Sequence, residues 1–367
     1  MMNILYTNFH RYDGGGHTTY ILSLLKNSPY NTFVACPPTS MLYVKLQEQG
    51  YKGLIPIEFP SKLKQWRRVI KSTLLLRKAI EEHSIDIMHT NGSNDNRMAL
   101  YASLITRKKF KVVYTKHNTI RIKNPISRLR MNRFNDAVIF VGDFIDYFGL
   151  DRNYPRYHVI PNGINLEHWE RKTSIETGHQ ITLISNAGAS RHKGWHHMME
   201  AIAGLTDEEK SRLTVVMLAR HEEEMEKELA EAGQICDFRF PGFLADVRPE
   251  LERADIGFIL SYKEACSFAC REMMAMSLPV ITSDFMSLAR EVDSGCGWVT
   301  KMKDAASVRA VLRHILSMRP EEISAMKTAA RRKAEANFSI TGMLDATYAV
   351  YDSLMADSVL RRARGTA

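Results

Sequence analysis

Twice along this chain, short apolar runs of strand length alternate with longer amphipathic stretches, and nothing else in the sequence constrains the fold as tightly. In the first half, residues 3–7, 31–36, 86–89, 111–114, 137–141 and 158–160 read as strands. Helical periodicity falls at 17–26, 61–83 and 97–106. The pattern lapses between Pro161 and Ser174 and then restarts. Strands are expected at 180–185, 213–219, 238–240, 256–260 and 279–282, with helices at 194–205, 222–232, 305–318 and 320–336. Buried strands separated by helices build a parallel sheet covered on both faces. The expectation is therefore α/β: two doubly wound, Rossmann-like domains, 1–165 and 166–367, with the last helix able to pack back on the first. Open sheets of this kind bind ligands beyond the carboxyl ends of their strands, so the cleft between two such domains is the expected site.

Length and composition agree. The 367 residues suit two domains, and 45% hydrophobic with 25% charged residues is ordinary for a globular protein. No apolar run approaches the roughly 18 residues of a membrane span. The first ten residues show neither a charged leader nor a small-residue cleavage site. Cys36, Cys236, Cys266, Cys270 and Cys296 are odd in number and form no C-x-x-C pair, so a cytoplasmic chain with free thiols is expected. The charge is lopsided. Residues 1–165 carry 24 Lys and Arg against 11 Asp and Glu, a net of +13, and the rest carries 26 against 30, a net of −4. A basic half points to a polyanionic partner, unless it is simply a solvated basic surface.

Four stretches can carry chemistry. Gly14-Gly15-Gly16 lies between a strand and a helix, where a tight turn and a ligand-approaching loop are both open readings. It is not G-x-G-x-x-G, so the nicotinamide fingerprint is absent. Glu264-Ala265-Cys266-Ser267-Phe268-Ala269-Cys270-Arg271-Glu272 sets a carboxylate at either end of a helix start. Carboxylates accept from sugar and ribose hydroxyls, and helix-start N–H groups bind diphosphate. Asn186 to Gly194 follows the first strand of the second domain and brings in Arg191 and Lys193, cations able to neutralise a leaving diphosphate. The fourth is Pro161-Asn162-Gly163-Ile164 at the domain junction.

In this order the stretches resemble the retaining glycosyltransferases of the GT-B fold, family four. The likeness rests on Gly15-Gly16, Pro161-Asn162-Gly163, Lys193-Gly194, the E-x7-E pair Glu264 and Glu272, and Pro279-Val280-Ile281. Segments 86–92, 114–118 and 254–256 add to it, and it spans nearly the whole chain. It implies two domains facing each other across a cleft, 1–165 binding the acceptor and 166–367 the nucleotide-sugar donor, UDP-, GDP- or ADP-linked, with no other cofactor. It further implies that Lys193 contacts the donor diphosphate, Glu272 the ribose and Glu264 the transferred sugar. Ser267, Phe268 and Ala269 would cradle phosphate and sugar through their backbone, with Gly15 and Gly16 letting the N-terminal loop approach. His117 would reach the sugar from the first domain. No D-x-D metal motif is present, so a metal-independent hexosyl-type transferase is expected.

The chain departs from the family at Gly188, where many members carry Arg, at Ser277, usually Gly, and at Phe285-Met286-Ser287, which replaces a glycine pair. Arg191 is the candidate substitute for the missing cation. Elsewhere, His192, His196 and His197 read as exposed helix histidines, Cys266, Cys270 and the nearby methionines as packing, and Glu222–Glu231 as a solvated face. On 61–83, Leu63, Trp66, Ile70 and Leu74 recur at helical spacing among Lys62, Lys64, Arg67, Arg68 and Lys71, and Leu74–Ile80 is expected to turn into the core. That helix, with a second basic cluster from Arg121 to Arg133, fits either an anionic membrane surface or ordinary domain packing. The expected activity is sugar transfer to a glycan or lipid-linked acceptor in cell-surface polysaccharide or lipopolysaccharide synthesis, at the cytoplasmic membrane face and without nucleic acid. The alternatives are a catalytically silent sugar- or polyanion-binding relative and a sugar-nucleotide epimerase of the same fold.

Overall fold

The computed structural model describes the chain apart from residues 13–14, 27, 61–62, 123, 175, 221–225, 287, 294 and 366–367, and the side chains of 63, 226 and 357–365. Gly14, Lys62 and residues 222–225 of the acidic 222–231 run thus lie outside the described residues. Two compact units result: residues 1–162 with 343–367, and residues 163–342. The chain leaves the first unit three residues before the expected boundary and re-enters it through its last helix.

The first unit holds a seven-stranded sheet: β1 (Asn3–Thr7), β2 (Asn31–Cys36), β3 (Leu54–Pro56), β4 (Ile87–Thr90), β5 (Lys111–Lys116), β6 (Ala137–Phe140) and β7 (Tyr157–Val159), in the order β3-β2-β1-β4-β5-β6-β7. Every pairing is parallel. All four residues of β4 and of β6 are buried, as befits strands covered on both faces. Sequence periodicity missed β3 and the helix Met41–Glu48, which are short and bury little apolar surface. The helix Ile340–Gly365 closes this unit. Its Tyr351 hydroxyl bonds His89 Nδ1 at 2.5 Å, Tyr348 donates to the Leu24 carbonyl at 3.1 Å, and Asp352 accepts from the Tyr30 hydroxyl at 2.9 Å.

The second unit holds six parallel strands: β8 (Ile181–Ser185), β9 (Leu213–Leu218), β10 (Asp237–Gly242), β11 (Ile256–Ile259), β12 (Val280–Ser283) and β13 (Gly297–Thr300), ordered β10-β9-β8-β11-β12-β13. β9 is buried throughout. In each sheet the strand order reverses once, between β1 and β4 and between β8 and β11. Such reversals open a crevice beyond the strand ends, because the flanking connections leave to opposite faces.

The expectation that residues 74–80 turn into the core holds for Leu76, Ala79 and Ile80 and fails for Leu74 and Leu75. On the helix Trp66–Glu82 the buried residues are Ser72, Thr73, Leu76, Ala79 and Ile80. Trp66, Ile70, Leu74 and Leu75 are exposed, so Leu74 belongs to a solvent-facing stripe rather than to the core half of the helix. The core-facing side is set by contact with the helix Ser93–Ile105, and small Ser72 and Thr73 suit that close packing.

Candidate active site

In the second unit the crevice between β8 and β11 is built from the loops that follow those strands. Residues 191–193 form one 3-10 turn, ended by Gly194 at a φ of 77°. A Cβ on Gly194 would stand 2.1 Å from the Leu260 carbonyl oxygen, so only glycine allows this loop to press on the end of β11. The contact is stitched by the His192 carbonyl, which accepts from Tyr262 N–H at 3.0 Å and from the Ser261 hydroxyl at 3.1 Å. Lys193 is thereby carried to Glu264, Nζ to Oε2 2.6 Å, with both side chains still open to solvent at 22% and 15%. Two residues 71 apart in sequence become an ion pair at the crevice mouth.

Ser267 caps the helix Phe268–Ala275, its hydroxyl accepting from Cys270 N–H at 3.3 Å. The first-turn N–H groups of Phe268 and Ala269 have no intrahelical acceptor and suit an anion. Glu272 lies one turn further on and accepts from Asn186 Nδ2 at 2.9 Å. Burial pushes its carboxyl up to about 7, and the Asn186 bond offsets this only in part. Behind it, Arg271 donates to Glu291 Oε1 at 2.8 Å in a buried pair, with the guanidinium 4.7 Å over the Phe338 ring. Sequence reasoning assigned no role to Asn186, Arg271 or Glu291. Asn186 and Arg271 lie within the stretches the sequence singles out, Arg271 next to Glu272.

Arg191 is not brought to this group. It pairs with Glu228 and is 64% exposed. At Gly188 the backbone adopts a φ of 90°, a conformation side-chain-bearing residues rarely take. Ser277 keeps a φ of 60°, the left-handed geometry for which the family's usual glycine is suited.

In the first unit, Gly15 has a φ of 46° and Gly16 opens the helix Gly16–Leu25. His117 follows β5, and its Nε2 lies 2.9 Å from Asn91 Oδ1. The Asn91 amide nitrogen donates to the Thr7 carbonyl at 3.1 Å, so its oxygen faces His117 and the imidazole proton sits on Nε2. Asn91 N–H in turn donates to the buried Asp95 at 2.8 Å, as does the Thr7 hydroxyl at 2.6 Å. The His17 ring lies 4.3 Å from His117 and 4.5 Å from His10. Burial holds His117 well below the usual imidazole range and lowers His17 to about 3. The two adjacent, mutually tilted rings therefore stay neutral at physiological pH. His10, His17, Asn91 and Asp95 escaped the sequence reading, since their partners come from separate strand ends.

The Glu272 shift gives a signed expectation. A carboxyl whose folded value exceeds its unfolded one contributes stability below about 4.5 that is lost as pH rises through about 7. Glu272→Gln should melt close to the native chain at pH 4 and above it at pH 8, at about 2–4 °C per kcal/mol for domains of this size. Calorimetry at the two values checks this, and a larger gain at pH 4 would refute it.

Comparison with known proteins follows these features. The family described as Glycosyltransferase Family 4 matches residues 14–168, and that described as Glycosyl transferases group 1 matches residues 167–333. A relative, the MMP alpha-(1->4)-mannosyltransferase of Mycolicibacterium hassiacum, is 27% identical over 203 residues, 54% of this chain and about half (49%) of that protein. Among solved structures, Anabaena Alr3699/HepE in complex with UDP superposes with a TM-score of 0.79 at 17% identity, covering 96% of this chain and 100% of that one. The lipopolysaccharide outer core galactosyltransferase WaaB gives 0.71 at 14% identity, covering 96% and 99%. At such identities these likenesses establish the fold. With both family matches spanning residues 14 to 333, the chain belongs to the group 1 glycosyltransferases of family 4, built on the GT-B fold.

Proposed function

We propose that this glycosyltransferase moves a hexosyl-type sugar from a nucleoside diphosphate to a glycan or lipid-linked acceptor, with retention of configuration and without a metal ion. The observation that carries the reading is the Lys193–Glu264 pair at the β8–β11 reversal. Each satisfies the other. An arriving diphosphate offers Lys193 more negative charge than one carboxylate does, and this frees Glu264 to accept from the sugar's hydroxyls. Glu272, on the same helix start, is placed for the ribose, and the N–H groups of Phe268 and Ala269 for the phosphates. Together they stabilise the charge that builds on the leaving diphosphate. His117, held neutral, serves as a hydrogen-bond partner near the sugar rather than as an acid. Retention follows the family resemblance. The UDP complex of Alr3699/HepE and the galactosyltransferase activity named for WaaB favour a UDP-hexose donor and a lipopolysaccharide acceptor.

The first unit supports a membrane surface as partner. Trp66, Ile70 and Leu74 form one exposed stripe, Trp66 at 58%, beside Lys64, Arg67, Arg68 and Lys71. Ile120, Ile126 and Leu129 are exposed among Arg121, Arg128 and Arg133. Apolar side chains that the unit's own core leaves uncovered, flanked by cations, suit an anionic lipid interface. No helix among the described residues is long and apolar enough to cross a membrane. Such attachment is peripheral, at the inner face of the cytoplasmic membrane.

With UDP-hexoses as donors, Lys193→Ala should lower turnover at least tenfold, equivalent to about 1.4 kcal/mol of transition-state stabilisation. Unchanged turnover would remove Lys193 from the site. Transfer by the native chain should persist in excess EDTA, and a loss restored by added metal would overturn metal independence. The chain should sediment with anionic but not neutral vesicles at low salt, and release as salt rises, because screening shortens to roughly 3 Å at 1 M. Replacing Lys64, Arg67 and Arg68 by Ser should weaken this binding, at about 1 kcal/mol per cation. Equal binding to neutral vesicles would contradict the electrostatic part.

A further inference from the structure

Beside His117, inside the first unit, the end of β5 opens into a cavity of about 410 Å³. Lys116 and Asn118, which flank His117, line it together with Tyr114, Arg121, Ser127 and Arg130. Its volume is that of a small-molecule site. Three of its lining residues are cations and none is acidic.

Those cations are not spent on the protein's own carboxylates. Among the described residues, neither Arg121 nor Arg130 belongs to an ion pair. Arg130 Nε is buried and has no hydrogen-bond partner. Arg121 stacks over Tyr147 at 4.8 Å. The Lys116 ammonium is 3% exposed, donates to Asn118 Oδ1 and to the Ile120 carbonyl at 3.2 Å, and lies 5.1 Å over the Phe148 ring. All of these are neutral partners. The buried carboxylate of Asp95 acts electrostatically on Arg130 but forms no ion pair with it among the described residues, and its Oδ2 is engaged by Thr7 and Asn91. A buried cation without a counter-charge is costly, and a guanidinium fork is shaped for bidentate contact with an oxyanion.

We propose that this cavity holds the phosphate group of a phosphorylated acceptor. The inference deepens the proposed function and rests on that reading, with the first unit taking the acceptor as the family resemblance implies. Three cations that form no ion pair among the described residues match a group carrying about −1.5 to −2 better than a single carboxylate. The site adjoins His117, so a phosphate bound here sets the rest of the acceptor next to the residue proposed to meet the sugar. A second, shallower cavity of about 510 Å³ shares Arg121 and Ile122 with the first and continues to Arg128 and Tyr147. It offers the remainder of the acceptor a path along the surface.

The test uses the full chain with glucose 6-phosphate and geranyl phosphate as probes, read by thermal shift at matched ionic strength against sodium acetate. A ligand that binds only the folded state raises the melting temperature. At least one phosphate probe should stabilise the chain where acetate does not. The effect should persist in Lys193→Ala and weaken at least tenfold in apparent affinity in both Arg130→Gln and Arg121→Gln. Arg121 is exposed, so its replacement leaves the fold intact if that of Arg130 does not, and circular dichroism reports this. A stronger response to geranyl phosphate indicates a lipid-linked acceptor, and a stronger one to glucose 6-phosphate a sugar phosphate. Either supports the proposal. No response to either probe, an equal response to acetate, or a response abolished by Lys193→Ala and kept by both arginine variants overturns it. UDP titrated in parallel reports on the donor reading separately, since its binding depends on Lys193 and not on Arg121 or Arg130.

Discussion

With the Leu260 carbonyl oxygen 2.1 Å from where a side chain on residue 194 would begin, the loop after β8 reaches the end of β11 only because Gly194 has none. The second unit's chemistry depends on that approach. It lets the His192 carbonyl join the β11 loop and delivers Lys193 to Glu264. A larger residue would push the two strand ends apart, and a cation and a carboxylate 71 positions apart in sequence would lose contact. The two side chains keep 22% and 15% of their surface open to water, enough for an entering ligand to reach them and exchange partners.

The first unit solves a different problem, that of keeping histidines uncharged near a basic surface. His117 is fixed by Asn91, and Asn91 by Thr7 and Asp95. His89 bridges Thr115 at 2.6 Å and Tyr351 at 2.5 Å, and burial lowers it to about 3. Charging any of these rings would place a cation in a desolvated setting beside Lys116, itself pushed down to about 8. The last helix takes part, because Tyr351 seals the His89 end of this network. The packing of that helix on the first unit is thus tied, through His89, Thr115 and the β5 end, to the loop that carries His117.

Charge in this unit divides between two kinds of place. Lys108 and Lys111 reach Asp86 and Asp136, each at 3.0 Å, and tie together the N-terminal ends of β4, β5 and β6. Arg121 and Arg130 find no such carboxylate among the described residues and line a cavity instead. Lys64, Arg67 and Arg68 flank an apolar stripe that faces solvent. An excess of thirteen positive charges in residues 1–165 is therefore not an even coat, and its unneutralised part gathers where an anion or an anionic surface can meet it.

The parallel α/β character, the restart after Pro161 and the identity of the Lys193, Glu264 and Glu272 stretches were all legible in the sequence. They depend on local periodicity and on motifs whose residues are close together along the chain. β3 and the helix Met41–Glu48 were not legible, because short elements with little apolar surface leave no periodic trace. Nor was the orientation of the helix Trp66–Glu82. Its apolar repeat marked one face correctly, but which face meets the core was decided by the neighbouring helix Ser93–Ile105. The course of Arg191 toward Glu228, the clamp of Asn91 on His117 and the unpaired Arg130 Nε likewise arise from residues far apart in sequence. Local sequence determined what kinds of group were available. Tertiary packing alone decided which were spent on one another and which were left for a ligand, because burial and partner distance are properties of the folded chain.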